Sequence, residues 1–103
     1  MKRLLNASPR ITAVFASNDL MAIGAMTAIR ESGLSIPEDI DVVGFDDIPA
    51  ARLISPPLTT INQFKQQLGH RAAELLFERL TGAVTGDGRS VKMPFELIIR
   101  QSA

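Results

Sequence analysis

Cysteine is absent from the 103 residues, which excludes disulfides, thiolate catalysis and Cys-ligated zinc and is compatible with a reducing compartment. Net charge is absent too, because 11 Lys and Arg balance 11 Asp and Glu. Scattered basic residues without an excess give no sequence-independent attraction to a polyanion, so any contact with DNA must come from outside this chain. The single histidine, His70, falls on the polar side of an expected helix with no evident orienting group. It reads as a solvated side chain rather than a base. Met1-Lys2-Arg3-Leu4-Leu5 begins like a signal peptide but meets Asn6, Ser8, Pro9 and Arg10 before an apolar core develops, and no later run approaches a membrane span. A soluble chain with no membrane partner is expected. Internal repeats and low-complexity segments are also missing. Gly82, Gly86 and Gly88 lack the Lys-Ser/Thr and leading strand of a phosphate-binding loop, so they read as linker residues.

What is present alternates between strand-like and helix-like patterns. With 46% hydrophobic and 21% charged residues, one ordinary domain is the natural expectation. Met1 to Asn6 reads as the last turn of a helix whose start lies upstream. Ile11 to Ala16 is a β-branched and aromatic run that predicts a buried strand, and Ser17-Asn18-Asp19 suits the cap of a following helix. That helix, Leu20 to Ser32, is apolar on nearly every side until Arg30 and Glu31. It predicts burial on two faces, one of them at a subunit interface, with Gly24 permitting close backbone approach. Gly33 and Pro37 stop it. Val42 to Phe45 then predicts a second parallel strand that empties into Asp46 and Asp47.

Asp47 is expected to cap a short helix through Arg52, with Pro49 in its first turn and Ser55-Pro56-Pro57 ending it. Leu58 to Ile61 allows only a brief third strand. Phe64, Leu68, Ala72, Leu76 and Leu80 make one apolar stripe on an amphipathic helix. Thr81 to Arg89 predicts a loop, and Ser90 to Arg100 alternates like a strand with one face buried, Pro94 marking an edge or a break. The order predicts an α/β sandwich of three layers around a mostly parallel sheet.

Right-handed crossovers would bring the carboxyl ends of the strands to one edge, where such sheets bind ligands. Asn18, Asp46 and Gln63 each stand just past a strand, and two amides with a carboxylate offer donors and acceptors to a ligand rich in hydroxyls or ring nitrogens. Equally, Asn18 and Asp47 could simply cap helices and Asp46 could be a turn residue. An enzymatic alternative makes Asp46 and Asp47 a general acid/base pair or Mg²⁺ ligands. Adjacent residues usually diverge, however, and no third acid or nucleophile accompanies them, so no catalytic residue, metal or cofactor is expected.

Several ordered blocks carry a family resemblance: Ala13-Val14-Phe15-Ala16-Ser17-Asn18-Asp19, Met21-Ala22-Ile23-Gly24-Ala25, Ile36-Pro37-Glu38-Asp39-Ile40, Val42-Val43-Gly44-Phe45-Asp46-Asp47-Ile48 and Pro56-Pro57-Leu58-Thr59-Thr60-Ile61. Together they resemble the C-terminal part of LacI/GalR-family bacterial transcriptional repressors, and Phe95 to Arg100 is similar to their terminal strand. The resemblance implies a cytoplasmic, non-enzymatic regulator with a periplasmic-binding-protein-like effector domain. By it, Asn18, Asp46 and Gln63 lie at an effector of sugar or purine class, and Met21, Ile23, Ala25, Met26, Leu53 and Ile54 lie at a homodimer interface. Residues 1–103 would be the C-terminal portion of that domain, without its N-terminal lobe or the helix-turn-helix through which the intact protein reads operator DNA. The stripe of Phe64, Leu68 and Leu76 would then stand uncovered. A secreted sugar-binding protein of a transport system shares the two-lobed fold and is the alternative.

Overall fold

The computed structural model describes residues 1–7 and 10–103. The chain forms two compact units, one comprising Met1–Asn62 with Glu96–Ala103 and the other Gln63–Phe95.

In the first unit, a one-turn helix α1 (Lys2–Leu5) is followed by β1 (Ala13–Phe15), α2 (Asp19–Glu31), β2 (Asp41–Val43), α3 (Pro49–Leu53) and β3 (Thr60–Asn62), and β4 (Glu96–Ile98) returns to it. β1 and β2 pair in parallel with Val14 opposite Val42, a parallel bridge joins Val43 to Thr59, and β3 and β4 pair antiparallel with Ile61 opposite Leu97. The expected parallel pairing holds for β1 and β2, and the isolated Val43–Thr59 bridge extends it only to the residue before β3, which forms a separate two-stranded sheet with β4. The terminal strand runs the other way, since it comes back directly alongside β3. It is also shorter than its alternating pattern, as regular pairing begins only after Pro94, which has no N–H to give a ladder.

α2 supplies the centre of the core. Ala22, Met26 and Ile29 pack with Ile36, Ile40, Val42, Ala51 and Leu58. Gly33 ends the helix at φ 76°, where a side chain would be strained. Within the chain the helix is buried on one side: Met26 is 1% exposed, while Leu20 and Met21 are 70% and 57% exposed. Met26 therefore packs into the chain's own core, whereas Ala25, 8% exposed, lines a groove beside α2. Gly24 has nothing within 4 Å of where a Cβ would stand, so no close approach occurs there among the described residues. Nor is β1 fully buried, because Phe15 is 65% exposed.

The last residues fill the wedge below the Val43 bridge, where β2 and β3 diverge. Ser102 is fully buried, donating its hydroxyl to Val42 O at 2.6 Å and accepting Thr59 N–H at 2.8 Å, while its carbonyl accepts Val42 N–H at 2.7 Å. A serine, small and able both to donate and to accept, satisfies the Val42 carbonyl and the Thr59 N–H at once.

The second unit contains α4 (Lys65–Leu80) and a loop. Of the expected stripe, Leu68, Leu76 and Leu80 are exposed and Phe64 is half-buried; Phe77, outside the stripe, is exposed as well. His70 is exposed and 3.1 Å from Glu74. Arg71, bonded to Glu74 at 2.9 Å, holds that carboxyl below its ordinary range.

Candidate functional site

The carboxyl ends of β1 and β2 meet through the backbone, Asp19 N–H donating to Phe45 O at 2.9 Å. That bond joins the residues adjacent to Asn18 and Asp46, so both lie at the same end of the β1–β2 pair. Asn18, extended at φ −156°, accepts Met21 N–H on its side-chain oxygen at 2.8 Å and so caps α2. The cap uses the carbonyl end of the amide and leaves its NH₂ group as a donor toward the rim. Asp46 is half-buried, and its N–H donates to Ile61 O at 2.9 Å, which ties the same edge to β3. Phe15 and Phe45 stack edge to face beside this edge with centroids 6.4 Å apart. The structure thus brings Asn18, Asp46 and the end of β3 together. Gln63, half-buried, is the first residue of the second unit.

Asp46 and Asp47 do not act alike. Both have positive φ, 115° and 48°. The Asp47 side chain, 7% exposed, is 2.6 Å from Arg100 Nη2, 3.4 Å from Asn62 Nδ2 and 3.9 Å from Arg52. Asp47 is therefore not the cap of α3, whose N-cap is Ile48 with no side-chain bond. The carboxylate that serves the start of α3 is that of Asp19: fully buried, it accepts Ile48 N–H at 2.8 Å and the Thr60 hydroxyl at 2.5 Å. The adjacent acids thus have different partners, Asp47 through its side chain with Arg100 and Asp46 through its backbone N–H with β3. Among the described residues no group of three metal-ligating side chains occurs.

Sequence reasoning missed Asp19, Thr60 and Arg100. Asp19 was hidden within a capping triplet, and Arg100 fell on the polar side of an alternating strand. A second feature of the first unit is a groove of about 450 Å³ beside α2, lined by Leu4, Val14, Phe15, Met21, Gly24 and Ala28 among others. Leu53, 80% exposed, and the half-buried Ile23 and Ile54 are also available at the surface.

A sheet edge of this kind, with an amide, a strained acid and an aromatic pair, defines the chain as a lobe of the ligand-binding α/β class. Residues 1–103 match the family model for the periplasmic binding protein-like domain. The chain belongs to that family, and its similarity to LacI-type regulators runs through its whole length. The transcriptional repressor PurR of Pasteurella multocida (strain Pm70) is 49% identical over 102 residues, covering 99% of this chain and 30% of the relative. The transcriptional regulator CelR in complex with cellobiose is 40% identical with a TM-score of 0.90, over 99% of this chain and 31% of that one. The lac repressor dimer bound to operator and the anti-inducer ONPF is 40% identical with a TM-score of 0.82, over 97% and 30%. The chain thus spans about a third of the length of the proteins it matches. No described helix is long and apolar enough to cross a membrane.

Proposed function

We propose that residues 1–103 are the C-terminal portion of the effector-binding and dimer-forming domain of a LacI-type transcriptional repressor. The helix-turn-helix and the second half of the effector cleft lie elsewhere in the intact protein. An effector of sugar or purine class hydrogen-bonds Asn18 and Asp46 at the strand edge, with Gln63 contributing from the segment just past β3. It binds one arrangement of the intact dimer better than another, and that difference alters how the dimer presents its DNA-reading segments to operator. The protein works in the cytoplasm, binds rather than transforms its ligand, and needs no cofactor.

The observation that carries this reading is Asp46 itself, a half-buried acid at φ 115° that directly follows Phe45, the residue whose carbonyl accepts Asp19 N–H. A non-glycine residue in so sparsely populated a region points to function. Repressor relatives at 49% identity favour this over the transport-system alternative. The test is Asp46→Ala in the intact protein, titrated calorimetrically with cellobiose, lactose and guanine in turn. Loss of a charge-assisted hydrogen bond should weaken binding by about 1.5–3 kcal/mol. Unchanged affinity removes Asp46 from the site.

A further inference from the structure

The acid proposed to meet the effector stands in a backbone conformation that a non-glycine residue does not hold unaided. Asp46 at φ 115° lies outside even the left-handed helical region that aspartate tolerates, and Asp47 follows at φ 48°. Two successive residues of this kind persist only where their surroundings over-determine them. Four bonds do so: Asp46 N–H to Ile61 O at 2.9 Å, Asp47 N–H to Thr60 Oγ1 at 3.4 Å, Asn62 Nδ2 to Asp47 Oδ2 at 3.4 Å, and Arg100 Nη2 to Asp47 Oδ1 at 2.6 Å. The first three come from β3, and two of those are long. The fourth is short, charge-assisted and sheltered, with the Arg100 side chain 15% exposed. Arg52 is 3.9 Å away and 62% exposed, so solvent screens it.

Arg100 is itself held. Its Nη1 donates to Leu58 O at 2.9 Å and its backbone N–H to Thr59 Oγ1 at 2.9 Å. A planar guanidinium fixed at one end and bonded to a buried carboxylate at the other is a rigid strut, which a lysine reproduces only in part.

We propose that Arg100 is the positioning residue of the effector rim: its bond to Asp47 holds the strained turn in the form that presents Asp46 to the ligand. The proposal rests on Asp46 as an effector contact. It also carries a regulatory consequence. The chain leaves the first unit after β3 and returns through β4, Asn62 pairing with Glu96. The four bonds named above therefore come from β3 and from Arg100 just past β4, the two segments by which the chain leaves and re-enters the first unit. A shift in the register of those segments reaches Asp46 directly.

The experiment compares wild type, Arg100→Met, Arg100→Lys and Asp46→Ala in the intact protein. Amide hydrogen exchange in the unliganded state is the first readout and needs no effector. Arg100→Met should speed exchange at Asp46 and Asp47 by roughly tenfold or more while the central amides of α2 keep their protection, and Arg100→Lys should restore much of it. Calorimetry with cellobiose, lactose and guanine is the second. For a probe that the wild type binds, Arg100→Met should weaken affinity by about tenfold, the loss expected for a misplaced charge-assisted bond, with Arg100→Lys in between. Exchange that rises equally in α2 would reduce Arg100 to a structural role and overturn the proposal, as would a turn and an affinity indifferent to Arg100→Met. Retained affinity in Asp46→Ala overturns the rim reading instead, and the exchange result still decides whether Arg100 holds the turn.

Discussion

Thr60 donates its hydroxyl to the carboxylate of Asp19 at 2.5 Å, and neither residue has any exposed surface. The other oxygen of Asp19 accepts Ile48 N–H at 2.8 Å. One buried acid at the start of α2 thus joins β3 to the entrance of α3, directly beneath the edge that carries Asn18 and Asp46.

Asp19→Ala should consequently behave as a core mutation rather than as loss of a helix cap. It leaves the Thr60 hydroxyl and the Ile48 N–H buried without an acceptor, each costing about 1–3 kcal/mol, so a total of about 3–5 kcal/mol is expected. Asp19→Asn retains the shape and one acceptor and should lose less. Urea denaturation of the intact protein measures both, and an Asp19→Ala loss no larger than that of an ordinary cap, about 1 kcal/mol, contradicts the network.

Gly44 is required for a different reason from Gly33. Its backbone needs no special φ, but a Cβ there would lie 2.3 Å from Asp19 Oδ1 and 2.9 Å from Leu58 Cδ2. Gly44→Ala should destabilise by about 1–3 kcal/mol from overpacking, and by more where it also breaks the Asp19 bonds. Gly24→Ala, with nothing within 4 Å, should be stabilising by about 0.5–1 kcal/mol in the monomer through helix propensity. Thermal melts of the two variants should therefore move in opposite directions.

Local signals were legible where they act within a few residues. The helix after Asn18, its stop at Gly33, the break at Pro94 and the loop near Gly82 all follow from caps, φ restrictions and missing donors. The phase of α2 was not legible, because a helix apolar on every side does not reveal which of Met21 and Met26 faces inward. Only the packed sheet decides that. Asp47 misled for a similar reason: an acid before Pro49 is a natural cap, and its actual partner, Arg100, is 53 residues away. Asn18 and Asp46 could be assigned to one edge since parallel topology alone brings strand ends together, whereas Gln63 stands at the start of a separate unit.

The corrected phase of α2 sharpens the proposed dimer surface. Met21 and Leu53 are exposed, and Met26 is not. Met21→Glu and Leu53→Glu in the intact protein should shift sedimentation from dimer to monomer at low concentration, since each sets a charge into a surface that must desolvate. Met26→Ala should leave association intact while costing about 2–5 kcal/mol of folding stability. A dimer unmoved by both charged substitutions assigns subunit contact to another face.

Asn18 offers the sharpest division between capping and binding, because its two amide atoms have separable tasks. Oδ1 accepts Met21 N–H, a role serine performs as well, whereas the NH₂ donor has no counterpart in serine. Asn18→Ala should cost about 1 kcal/mol of stability. Asn18→Ser should keep that stability yet weaken binding of whichever of cellobiose, lactose and guanine the intact protein takes, by about 3- to 10-fold for one neutral hydrogen bond. Equal affinity in Asn18→Ser and wild type would make Asn18 a cap alone and remove it from the proposed effector contacts.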